Sequence, residues 1–195
     1  KKYVNRIEVV KSQVRASATS IHTETPHHEL MHREENTYAH EGTTWEREGS
    51  CTLVQDSVFA DIDRHAASSY VRRANSYLTN LPRLDQASYI SNLFFKYYIE
   101  QIGTSPATGP GENMDALVWF WENVDADGDD RADAVPTIVN RVLATRAPGM
   151  TFDGLFHDFI VTNYVKDYNN VSSRFRYEDE RGPNGTPYDP VHVQY

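Results

Sequence analysis

The chain has 195 residues and 22.3 kDa, enough for one domain with a core of its own. Its net charge of -9 disfavours a nucleic-acid partner, and its single cysteine excludes a disulfide framework or a multi-cysteine zinc ribbon. No apolar run reaches the roughly 18 residues of a membrane span, while 12 Tyr, 8 Phe and 3 Trp argue against a disordered chain.

In chain order, the imperfect alternation from Arg6 to Ala18 predicts a strand, and Thr19 to Glu24 a loop. Lys1-Lys2-Tyr3-Val4 is not followed by an apolar stretch, so the sequence reads as a mature form or an excised domain. Thr25-Pro26 is a helix start, with Thr as cap and Pro at the first helical position, and the helix is expected to run to about Asn36. Thr44 is expected to cap a second helix, about Trp45 to Ala60. A third is expected at Ala66 to Leu78, before the break at Leu81-Pro82.

A long amphipathic helix is predicted from about Gln86 to Ile102, closed by Gly103. Residues 105–112 form a turn-rich connector. Further helices are expected at Met114 to Asn123, Val135 to Thr145 and, capped by Thr151, Phe152 to Asp167. The expected fold class is mainly α, of α+β type with a minor β part. Residues 1–195 read as a single domain: a lead-in at 1–25, a first set of helices at 26–104, a helical part with an acidic loop at 105–170, and an irregular tail at 171–195.

Five of the eight histidines lie between His22 and His40. Among them, His28-Glu29-Leu30-Met31-His32 is H-E-x-x-H. On a helix the two imidazoles, four residues apart, share a face and can reach one ion, with Glu29 beside the first ligand as general base. Zinc at such a site makes water acidic enough to be activated near neutral pH. A third ligand is required. The positions that would supply it in H-E-x-x-H-x-x-G-x-x-H are Glu35 and Tyr38, which do not fit. Trp45-Glu46-Arg47-Glu48-Gly49 supplies W-x-x-E-G on the next predicted helix, making Glu48 the expected ligand. Glu41, Glu46 and His40 are its competitors. Asp56, two turns on, is the expected outer partner of a ligand histidine. His22 and His65 fit no pattern and read as surface residues.

These motifs resemble the gluzincin zinc metallopeptidases. Tyr89-Ile90-Ser91-Asn92-Leu93-Phe94-Phe95 through Gly103 resembles the helix-and-glycine stretch downstream of their zinc helices. Phe156-His157-Asp158-Phe159 with Val161-Thr162-Asn163-Tyr164 resembles a stretch of bacterial secreted peptidases of the hyicolysin and immune-inhibitor kind. The resemblance implies a zincin-like fold, a protein or peptide substrate, and secretion or cell-surface display by a bacterium. It carries over His28, His32 and Glu48 as zinc ligands and Glu29 as base and acid. It also implies a donor to the oxyanion, for which Tyr89 is the candidate, with Tyr97 and His157 as alternatives.

A second pattern places Asp125, Asp127, Asp129 and Asp133 at positions 1, 3, 5 and 9 of an acidic loop, with Arg131 offering its carbonyl at position 7. Alternating hard oxygens of this kind suit calcium, although Asp130 and Pro136 stand where an EF-hand has Gly and Glu. Calcium would fit an extracellular setting. The leading expectation is therefore a zinc metalloendopeptidase. The competing ones are a non-catalytic calcium-binding adhesion or scaffold module with a vestigial zinc helix, and a zinc hydrolase of non-peptide amides. Neither cleavage specificity nor oligomeric state is legible.

Overall fold

A computed structural model describes residues 25–39, 41–58, 91–102, 114–165 and 173–175, and within them the fold is mainly helical. The helices are α1 (Thr25–Glu35), α2 (Thr44–Val58), α3 (Asn92–Ile102), α4 (Met114–Glu122), α5 (Val135–Arg146) and α6 (Phe152–Val165), followed by a 3-10 turn at Ser173–Phe175. Among the described residues the only extended pairing is an isolated parallel bridge between Glu41 and Arg131. The strand expected at Arg6 to Ala18, the helix at Ala66 to Leu78 and the start of the helix from Gln86 lie outside the described residues. None of the described helices is long and apolar enough to cross a membrane.

α3 is the hub. Its sequence, NLFFKYYIEQI, leaves little of the polar face a surface helix needs, and all but one of its residues are buried. It packs against α2, α4 and α6. Phe94 meets Trp45, Phe152, Phe156 and Phe159 at ring-centroid distances of 5.8, 5.8, 6.2 and 5.6 Å, and Phe95 meets Phe120 edge-on at 5.2 Å. These separations lie in the range where aromatic quadrupoles attract. The buried tyrosines keep their hydroxyls satisfied: Tyr98 donates to the Ala116 carbonyl at 3.0 Å and Tyr97 to the Arg174 carbonyl at 2.6 Å.

α2 is set in place at both of its landmarks. Its cap is Thr43 rather than the expected Thr44. Thr43-Thr44-Trp45-Glu46 forms a capping box in which the Glu46 carboxylate accepts from the Thr43 backbone N–H and hydroxyl. At Gly49 the helix lies so close to α3 that an added Cβ would stand 2.3 Å from Ser91 Oγ and 2.9 Å from Phe95 Cδ2. Ser91 cannot simply swing away, since its hydroxyl donates to the Trp45 carbonyl at 2.6 Å. Gly49→Ala gains about 1 kcal/mol of helix propensity but overpacks this contact at a cost of about 1–3 kcal/mol. The expected net result is a melting temperature lowered by several degrees, read by thermal unfolding monitored by circular dichroism.

The remaining helices follow their sequence signals. Thr151 caps α6 through its hydroxyl, which accepts from the Gly154 N–H at 3.2 Å. α5 starts at Ala134 without a side-chain cap, with Pro136 in its first turn.

Candidate metal centre

α1 and α2 pack face to face, and their shared surface is polar. Spacings of four and three place His28, His32 and Glu35 on one side of α1, while Glu29, Leu30, Arg33 and Glu34 are exposed. His28 is 7 % exposed and Glu35 0 %. The two imidazoles meet edge to face with centroids 4.8 Å apart.

Glu48 reaches both rings from α2. Its Oε2 lies 3.1 Å from His28 Nε2, and its Oε1 lies 3.6 Å from His32 Nε2. Two imidazole nitrogens and a carboxylate are a zinc donor set. The two separations run to different oxygens of one carboxylate, so Glu48 bridges the two rings, one oxygen on each. On donor chemistry His28, His32 and Glu48 could hold zinc.

The competitors for the third position are otherwise engaged. Glu46 is buried in the capping box; burial pushes its carboxyl above the ordinary range, partly offset by the Thr43 bonds. Glu41 is exposed and pairs with Arg131 at 3.3 Å. His40, Tyr89 and the Asp56 side chain lie outside the described residues. Of the alternative oxyanion donors, Tyr97 spends its hydroxyl on Arg174, and its ionisation is pushed up by burial and by Asp158. His157 is exposed on α6, 3.5 Å from Asp158.

Two residues that the sequence reading did not assign to the site belong to its surroundings. His32 Nδ1 lies 3.0 Å from Glu35 Oε2, so the outer carboxylate on a histidine comes from α1 itself. Cys51 Sγ lies 3.1 Å from the same Nδ1, and the ligand atoms of His28, His32 and Cys51 fall within 4.8 Å of one another. Cys51 could therefore compete with Glu48 for an ion. Two facts favour Glu48. Cys51 sits on the Nδ1 side of His32, whereas Glu48 faces Nε2 on both rings. The Cys51 thiol, pushed above its usual range by burial and then by Glu35, is already engaged as a donor to Glu35 at 3.2 Å. The signal for both residues was helical spacing: Glu35 follows His32 by three, and Cys51 follows Glu48 by three.

His32 is held by opposing influences. Burial lowers its pKa, while Glu35 and Glu48 raise it, and the net shift is upward. A bound cation must displace that proton, so metal affinity at this site rises with pH.

The acidic loop brings together three of its four expected carboxylates. Those of Asp125, Asp127 and Asp129 lie within 4.8 Å of one another. Asp133 is not in this group; its carboxylate pairs with Arg141 at 2.5 Å, and that bond lowers its pKa. The loop is wound around Asp125, which accepts from the N–H groups of Gly128, Asp129 and Asp130 at 2.8, 3.1 and 2.9 Å. Gly128 and Asp130 adopt positive φ, 75° and 69°, the second at the position where an EF-hand carries its glycine. Glu41 joins the loop to the α1–α2 connector: its N–H donates to the Asp130 carbonyl and its carbonyl accepts from Ala132.

No protein-family model, curated protein or solved structure matches this chain.

Proposed function

We propose that the protein is a zinc-dependent metalloendopeptidase with His28, His32 and Glu48 as ligands and Glu29 as general base. The observation that carries this reading is the convergence of Glu48, from a second helix, on the Nε2 atoms of both histidines of an H-E-x-x-H helix, at 3.1 and 3.6 Å. The resemblance of the motifs to gluzincins extends it to a zincin-like fold with a minor β part and to an extracellular, bacterial protein acting on peptide bonds.

Bound zinc would supply the Lewis acidity that makes water acidic near neutral pH and polarises a carbonyl. The chain's own residues do the rest. Glu29 is exposed one residue after the buried His28, open to water and substrate from the solvent side. Its carboxylate takes a proton from the attacking water and returns it to the departing amine, so one group serves as base and then acid. Glu48 contributes negative charge opposite the two neutral imidazoles. Tyr89 remains the proposed oxyanion donor. The deciding experiment follows cleavage of an unfolded protein substrate by the full chain, with and without zinc. Zinc-dependent cleavage supports the reading, and zinc uptake without any cleavage favours the non-catalytic module.

Calcium on Asp125, Asp127 and Asp129 belongs to the same proposed function. Three carboxylates within 4.8 Å repel one another unless a cation lies between them. Because the loop is bridged to the α1–α2 connector, calcium is expected to raise the melting temperature of the full chain. In an Asp127→Ala, Asp129→Ala double variant the shift should vanish. A parent protein whose melting is indifferent to calcium would leave only a solvated loop.

A further inference from the structure

Glu35 is a fully buried carboxylate on a helix face where an apolar residue would pack more cheaply. Its partners from α2 are donors, and His32 Nδ1 is one when it carries the ring proton. His32 Nδ1 stands at 3.0 Å, Cys51 Sγ at 3.2 Å and the Ser50 hydroxyl in hydrogen-bond contact, with Arg47 Nε at 3.7 Å. Ser50, Cys51 and Arg47 all belong to α2, so the carboxylate is clamped from the helix that carries Glu48. An acceptor fixed in this way selects one form of the neutral His32 ring. When Nδ1 donates to Glu35, the lone pair lies on Nε2, the nitrogen 3.6 Å from Glu48 Oε1.

From this geometry we infer that Glu35 is a positioning residue, which holds His32 as its Nδ1–H tautomer and aims Nε2 into the metal centre. The purpose rests on the zinc reading above, but the tautomer can be measured without it.

The test uses the full chain and its Glu35→Gln and Glu35→Ala variants. Zinc affinity is measured by competition with a chromophoric chelator. The His32 tautomer is read from side-chain nitrogen-15 shifts in chelator-stripped protein, titrated upward in pH until the ring is neutral. Zinc binding should weaken about 10-fold in the Gln variant and about 100-fold in the Ala variant. His32 should move from Nδ1–H toward Nε2–H. A purely structural clamp would lower the melting temperature but leave the tautomer in place, and that outcome overturns the inference, as does equal zinc affinity in all three proteins. If Glu35→Ala does not fold, Glu35→Met, of similar length and with no oxygen acceptor, takes its place. A parent that takes up no zinc removes the proposed function, and the role of Glu35 then stands or falls on the tautomer.

Discussion

His28→Ala should reduce bound zinc from about one ion per chain to almost none, measured by elemental analysis after gel filtration. His28 is one of only three proposed protein ligands, and its Nε2 makes the shorter of the two approaches to Glu48, at 3.1 Å. Removing it leaves one imidazole and one carboxylate, so the loss should exceed the 10–100-fold that an outer hydrogen-bond partner such as Glu35 is worth. The substitution also leaves a space beside His32 at a buried position, so the fold must be checked by circular dichroism. Zinc retained at full stoichiometry by a folded His28→Ala protein would mean that the ion sits elsewhere, with the acidic loop and Cys51 the first places to look.

The second large effect concerns the chemistry rather than the metal. Glu29→Gln should keep zinc content and melting temperature while lowering the hydrolysis rate by about 10²–10⁴-fold, the share a general base commonly supplies. Glu29 is exposed, and a neutral isostere at an exposed helix position disturbs little packing. The pair of outcomes is what matters. Lost activity with lost zinc would assign Glu29 to the metal instead of the proton, and unchanged activity would remove it from the mechanism.

Much of the helical frame was legible because local signals were strong. Thr25-Pro26, Thr151 and the apolar run of α3 each mark an element by its own chemistry, and the observed boundaries fall within about two residues wherever the predicted ends are described. The caps are the exception: Thr25 and Thr44, both expected to stand just before their helices, are instead the first residues of α1 and α2. At α2, two threonines in a row offered two candidates, and the one chosen by the structure is the one three residues before a glutamate. The grouping of His28, His32 and Glu48, the proposed zinc ligands, was legible for a related reason: i and i+4 on one helix leave little freedom, and W-x-x-E-G supplied the partner. What each landmark does became clear only in three dimensions. Trp45 anchors α2 against Phe94 and Phe95, and Gly49 gives way to Ser91.

Glu35 and Cys51 were not legible as part of the site, since a charge near a helix end reads as solvated and a lone cysteine reads as nothing. Their meaning comes from α1 turning its polar stripe onto α2, a tertiary fact. Asp133 shows the opposite case. Its loop spacing suited calcium, but Arg141, one helix away, takes its carboxylate.

The most direct test of the central claim is the X-ray absorption spectrum at the zinc edge of the zinc-loaded full chain. Ligation by His28, His32 and Glu48 predicts a shell of nitrogen and oxygen at about 2.0–2.1 Å with imidazole scattering and no sulfur. A sulfur shell at about 2.3 Å would replace Glu48 with Cys51, and a chain that takes up no zinc would contradict the account altogether.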